Sequence, residues 1–124
     1  MTLCLVAGAL AVPLMTQALT LTWLHSVEKI LWEEDWRREG EGLRLVESRV
    51  RGSGAGMDPP PQARFADGAW AWRPDLPVLQ EVVLRRSGAT ADWSVCIAGT
   101  CRPMGSYVPA EADPVVLRAC PVSG

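Results

Sequence analysis

Two runs of alternating apolar and polar side chains, at residues 19–27 and 30–37, constrain the fold of this 124-residue chain more than any other feature. Alternation with a period of two is typical of a β-strand that buries one face. The side chains on the shared face are Leu19, Leu21, Trp23, His25 and Val27 in the first run and Ile30, Trp32, Glu34 and Trp36 in the second. Together the two runs predict an antiparallel hairpin with one aromatic, apolar face.

The register of this hairpin depends on its turn. A two-residue turn at 28–29 would pair His25 with Trp32. The same register pairs Trp23 with Glu34 and makes His25 and Glu34 diagonal neighbours. Glu-Lys is a poor sequence for such a turn, but a longer loop that shifts the register by two residues preserves both faces.

His25 and Glu34 are the polar members of the aromatic face. An imidazole and a carboxylate in an apolar wall lose hydration energy unless they bond to each other or to a ligand. In one interpretation the pair forms a structural hydrogen bond that fixes the hairpin. In the other, it holds the polar groups of a ligand between Trp23, Trp32 and Trp36.

A hydrolase-like enzyme that uses His25 as its general base is a third interpretation. Ser26 is the nearest hydroxyl nucleophile, but it lacks the glycine-flanked elbow of serine hydrolases. A metal site is not predicted, because the chain has one histidine and no second cluster of ligands beside it. We therefore predict no catalytic residue, no metal and no cofactor.

The stretch GSGAGMDPPP at residues 52–61 is rich in glycine and proline. Its likeness to a phosphate-binding loop is superficial, because no Gly-Lys-Ser/Thr follows and the prolines prevent the helix that would bind the phosphate. Gly54 and Gly56 permit close approach of the backbone to a ligand. The stretch is either a structural loop or the rim of a pocket beside His25.

The remainder of the chain consists of short runs of β-forming residues separated by turn-forming residues. With the hairpin included, strands are predicted at 19–27, 30–37, 43–50, 70–73, 82–87, 93–96, 101–104 and 115–120. This spacing is typical of an antiparallel β-sandwich or a small barrel. Residues 19–124 are therefore predicted to form a single all-β domain.

The N-terminal residues carry a different signal. No residue from 3 to 19 is charged, which predicts a hydrophobic helix within residues 1–18 that serves as a signal peptide or membrane anchor. Thr16 and Ala18 are small residues at the −3 and −1 positions of a cleavage site, although no Lys or Arg precedes Leu3. The domain is therefore expected in the periplasm, either free or anchored to the membrane. A buried core helix is the alternative.

Charge excludes one class of partner. The chain has 14 acidic and 12 basic residues, and the two signs are interspersed. A nucleic-acid-binding domain would carry a basic stripe, so the sequence predicts no nucleic-acid partner.

Cysteine spacing also bears on the compartment. Cys96 and Cys101 flank a four-residue loop between two β-like runs, so closing a hairpin there places them opposite each other within disulfide range. Half of a zinc site is the competing interpretation, but no second thiol pair or histidine lies nearby. We predict the disulfide, which suits an oxidising compartment. Cys4 lies in the predicted signal or anchor, and Cys120 is left without a predicted partner.

Several of these stretches together resemble a bacterial family of small exported proteins catalogued as domain of unknown function 1850. The resemblance is carried by LTWLHSVEK at 21–29, WEEDWR at 32–37, GSGAGMDPP at 52–60, DWSVC at 92–96 and CRP at 101–103. It covers about residues 19–104. The His-Ser-Val-Glu and Gly-Ala-Gly elements are specific in combination and weak singly.

The resemblance implies no reaction. It implies an accessory to solute uptake on the periplasmic side, because members of the family are often encoded beside TRAP-type transporters of the TAXI subclass. A component of such a transporter or a small-molecule ligand is then the expected partner, and a purely structural, membrane-tethered domain is the alternative. The positions that match the family motifs are His25, Ser26, Glu28, Glu34, Gly54 and Gly56, which with Trp23 and Trp32 form the predicted ligand-binding set.

Overall fold

The chain folds almost entirely into β-strands. The computed structural model describes residues 1–24, 30–51, 59–87 and 91–121. Within these ranges the secondary structure is eleven strands and one 3₁₀ turn at Met104–Ser106, without an α-helix. The strands are β1 (Thr2–Ala7), β2 (Leu10–Pro13), β3 (Ala18–Leu24), β4 (Leu31–Glu39), β5 (Gly42–Arg51), β6 (Arg64–Ala66), β7 (Ala69–Trp72), β8 (Glu81–Leu84), β9 (Ser94–Ile97), β10 (Thr100–Pro103) and β11 (Val115–Cys120). The predicted all-β class is confirmed.

Seven strands form the larger sheet, in the order β10-β9-β3-β4-β5-β7-β6. Its pairs are antiparallel, and short turns close several of its hairpins. At Asp67-Gly68 and Ala98-Gly99 both turn residues have positive φ, which matches the right-handed twist of the flanking strands.

The smaller sheet has four strands in the order β2-β1-β11-β8. The two sheets share one hydrophobic core. The larger sheet contributes residues such as Leu21, Trp36 and Val95, and the smaller sheet contributes Leu5 and Leu117. Four of these five residues are fully buried, and Trp36 is 4% exposed.

The predicted N-terminal helix is wrong. Residues Thr2–Ala7 form β1, which pairs with β2 on one side and with β11 on the other. Leu3, Cys4 and Leu5 are at most 1% exposed, so both faces of this strand are buried. A short apolar run is equally compatible with a helix and with a strand buried on both faces, and here the strand is formed. The described residues contain no helix long and apolar enough to cross a bilayer.

The β3–β4 hairpin forms as predicted, with its register shifted by two residues. Trp23 pairs with Trp32, and Leu21 pairs with Glu34. The predicted register paired Trp23 with Glu34, so that pairing is wrong. Because the shift is an even number of residues, the two alternating faces keep their predicted composition.

The cysteines form two disulfides. Cys96 and Cys101 are direct cross-strand partners in the β9–β10 hairpin, with their Cα atoms 3.9 Å apart, and their predicted bridge is present. Cys120 was predicted to be unpaired, and this is wrong. It bonds to Cys4, with a Cα–Cα distance of 6.0 Å, because β1 and β11 are neighbours although 116 residues separate the two cysteines.

Candidate functional site

A line of mostly aromatic side chains crosses the larger sheet near one end of its strands. Successive cross-strand partners along this line are Phe65, Trp70, Val50, Trp32 and Trp23. Trp93, which directly precedes β9, continues the line because its ring contacts that of Trp23. Neighbouring strands lie about 4.8 Å apart, so these six residues, here named the aromatic row, extend over roughly 20 Å.

Ring contacts hold the aromatic row together. The rings of Trp23 and Trp32 are stacked with centroids 5.8 Å apart, and those of Trp23 and Trp93 are tilted at 4.5 Å. Phe65 and Trp70 form a second tilted pair at 5.2 Å. Such pairs stabilise one another beyond the area they bury. The four tryptophans are half-buried and Phe65 is 55% exposed, so the row keeps surface that a partner can contact.

The aromatic row lies at the margin of the main core. Trp23 and Trp32 do not belong to the buried cluster between the two sheets, whereas Trp93 packs against that cluster and Val50 is fully buried. An aromatic surface left over after the core has formed is characteristic of a surface that binds something.

A buried arginine fixes the end of the row at Trp93. The Arg86 side chain is 7% exposed and donates two hydrogen bonds to Asp92, at 3.0 and 2.8 Å. It also donates to the carbonyls of Pro109 and Ala112 at 2.7 and 2.9 Å. The Asp92 carboxylate in turn accepts from the backbone N–H of Trp93 at 2.9 Å. These bonds lower the pKa of Asp92, mainly through the Arg86 guanidinium, and so favour its charged form.

Glu34 lies two residues along β4 from Trp32, directly opposite Leu21 on one side and Ser48 on the other. Its carboxylate accepts a hydrogen bond from the indole N–H of Trp36 at 3.3 Å. Burial raises the pKa of Glu34 above its ordinary value, and the Trp36 hydrogen bond offsets part of that rise. A carboxyl group beside an aromatic surface is thereby shifted toward its neutral form.

Glu34 makes stability depend on pH in a defined direction. Between the unfolded pKa and the raised native pKa the native state binds more protons, so the free energy of unfolding falls as pH rises through that interval and then levels off. Glu34→Gln keeps the acceptor for Trp36 and removes the titration. We expect the variant to gain stability relative to the unsubstituted protein as pH rises from about 4 to about 7.

Urea unfolding measured across this pH range tests the expectation. Glu41→Gln, in the β4–β5 turn where the residue is exposed, serves as the control. Parallel stability curves for Glu34→Gln and the unsubstituted protein would show that burial of Glu34 does not affect its titration.

The structure brings together part of the predicted ligand-binding set. Trp23 and Trp32 are adjacent, and Glu34 lies next to their row. His25, Ser26, Glu28, Gly54 and Gly56 lie outside the described residues. The predicted pocket wall also included Trp36, and here a correction is needed, because Trp36 is 4% exposed and belongs to the core.

Four members of the aromatic row were not in the predicted set, namely Val50, Phe65, Trp70 and Trp93. Trp70 and Trp93 stand in predicted strands, but their alignment with Trp32 depends on pairings between distant segments. Phe65 lies in β6, a three-residue strand that was not predicted. The Asp67-Gly68 dipeptide, a strong hairpin signal, could have located it.

The opposite face of the larger sheet is polar. Its centre is Arg49, which donates to the two carboxylate oxygens of Asp35 at 2.7 and 2.8 Å and also bonds Glu33 and Glu47. The Arg49 hydrogen bonds are the main reason that the pKa of Asp35 lies below its ordinary value. These groups satisfy one another, so their first role is to stabilise the sheet.

Comparison with known proteins assigns the chain to a family of unknown function. A family model described as a domain of unknown function, DUF1850, matches residues 19–104. That span runs from β3 to β10 and includes the whole aromatic row. Neither the search of curated proteins nor the search of solved structures finds a match. Since the family model covers most of the chain, the protein belongs to the DUF1850 family.

Proposed function

We propose that this chain is a non-enzymatic binding or accessory domain that works outside the cytosol and contacts its ligand or partner through the aromatic row. The observation that carries the proposal is the row itself, in which the Trp23 ring contacts those of Trp32 and Trp93 while all three remain partly exposed. Rigid aromatic side chains provide contact area at a low cost in conformational entropy.

One observation supports a location in the periplasm or on the periplasmic face of a membrane. Both cysteine pairs of the described chain are bridged, Cys4 with Cys120 and Cys96 with Cys101, and such bonds persist in oxidising compartments.

The proposed partner is a TRAP-type transporter of the TAXI subclass or the solute that it carries. The family resemblance implies this association through gene neighbourhood. A surface roughly 20 Å long suits either a protein partner or a ligand with several apolar groups.

Solute uptake tests the proposal. Deleting the gene is expected to reduce uptake of radiolabelled substrate by the TAXI transporter of the same cell, and the unsubstituted gene should restore it. A Trp23→Ala/Trp32→Ala double variant should restore severalfold less, because it removes the stacked pair at the centre of the row.

Val83→Ala is the matched control, since Val83 is an apolar side chain, 51% exposed, on β8 of the other sheet. Thermal unfolding should confirm that each variant is folded at the assay temperature. Unchanged uptake in the deletion strain would contradict the accessory role. Full restoration by the double variant would show that the aromatic row is not the contact surface.

A further inference from the structure

A concave site lies on the larger sheet, separate from the aromatic row. It is an open groove of about 440 Å³ lined by Glu47, Gln62, Arg64, Ala71, Trp72 and Arg73. Three strands contribute to it, namely the middle of β5, the edge strand β6 and the end of β7.

The register brings the two arginines of the groove together. Arg64 on β6 is the direct partner of Ala71 on β7, and Arg73 follows two residues after Ala71. Residues in that relation are diagonal neighbours on one face, with Cα atoms about 7–8 Å apart. Both guanidinium groups can therefore reach the same small group in the groove.

Arg64 and Arg73 differ in their ion pairing from Arg49 on the adjacent strand β5. Arg49, the other cross-strand partner of Ala71, is held by Asp35, Glu33 and Glu47. In the described part of the chain neither Arg64 nor Arg73 has an acidic partner within 4.0 Å. Glu47 is the acid that lines the groove, and its carboxylate already accepts a bond from Arg49 at 3.2 Å.

We propose that this groove binds the oxyanion group of a small organic solute. Two guanidinium forks match the paired oxygens of a carboxylate or a phosphate. Gln62 and Trp72 also line the groove, and they add a side-chain amide that can donate and apolar surface for the body of the solute. The site does not depend on the proposed function of the aromatic row.

Nuclear magnetic resonance titration of the full chain tests the site. The probes are benzoate, inorganic phosphate and benzyl alcohol, a neutral analogue of similar size. Benzoate is expected to shift the side-chain signals of Arg64, Arg73 and Trp72 saturably, with a Kd in the millimolar range that is usual for small ligands in open sites. Phosphate binding without benzoate binding would identify a phosphoryl group as the oxyanion.

Two variants separate the groove from general positive charge. Arg64→Gln/Arg73→Gln should weaken binding at least tenfold. Arg102→Gln, which removes an exposed arginine from β10 at the opposite edge of the sheet, should leave it unchanged within twofold. All three positions are exposed, so these variants should fold normally. Equal binding of benzyl alcohol, equal weakening by Arg102→Gln, or the absence of saturable binding by either anion would overturn the proposal.

Discussion

Removal of residues 1–18 is expected to abolish cooperative folding of the domain. The deletion eliminates β1, whose Leu3 and Leu5 are fully buried and whose backbone pairs with β11. Each large side chain buried in this way contributes about 1.5–3 kcal/mol. The deletion also removes the Cys4–Cys120 bridge, and a cross-link closing a loop of this length contributes about 4–5 kcal/mol. These losses are on the scale of the whole stability of a small domain.

Near-ultraviolet circular dichroism and urea unfolding of the fragment 19–124 provide the measurement. A Cys4→Ser/Cys120→Ser variant of the full chain is the control, because it removes the cross-link and retains the strand. We expect this control to be destabilised yet folded. A fragment with the tertiary spectrum and unfolding midpoint of the full chain would show that residues 1–18 are dispensable, as cleavage after Ala18 requires.

Arg86→Leu is expected to destabilise the domain by about 2 kcal/mol, within the range for losing hydrogen bonds to charged groups. The substitution leaves the Asp92 carboxylate without its main partner and removes the bonds to the carbonyls of Pro109 and Ala112. The Asp92 side chain is 33% exposed, so water replaces part of what the carboxylate loses and keeps the cost below that of a buried pair.

Arg85, the residue before Arg86, provides a matched control. Arg85 also pairs with an aspartate, Asp113, but its side chain is 73% exposed. Arg85→Leu should therefore cost less than about 1 kcal/mol, as is usual for surface pairs. Arg86→Lys should fall between the two, because it keeps the charge and loses the planar fork. Similar urea midpoints for the Arg85→Leu and Arg86→Leu variants would exclude the proposed role of the Arg86 bonds.

Local patterns predicted the fold class and the composition of the hairpin faces. The alternation around Trp23 and Trp32 is a property of consecutive residues, so it survives an error in register. The register itself depends on the loop between β3 and β4, and the poor turn sequence at 28–29 already indicated that a two-residue turn was doubtful.

Long-range pairing could not be predicted in the same way. Nothing near Leu3 or Leu5 indicates that β11 lies beside them, and an uncharged apolar run has the same composition in a signal peptide as in a buried strand. The Cys4–Cys120 bridge follows from that unpredicted pairing. The aromatic row could not be predicted for the same reason, because its six members are contributed by separate segments and only the sheet order aligns them.

The position of β11 has a consequence for how the chain acquires its structure. As the protein is synthesised, β1 emerges long before β11, its partner at residues 115–120 in the smaller sheet. The main core therefore cannot close until nearly the whole chain is available, and contacts over such a separation slow folding because the loop entropy is lost first. Until then the apolar residues of β1 remain open to association with other chains. Folding of this domain is accordingly completed only after β11 has been synthesised.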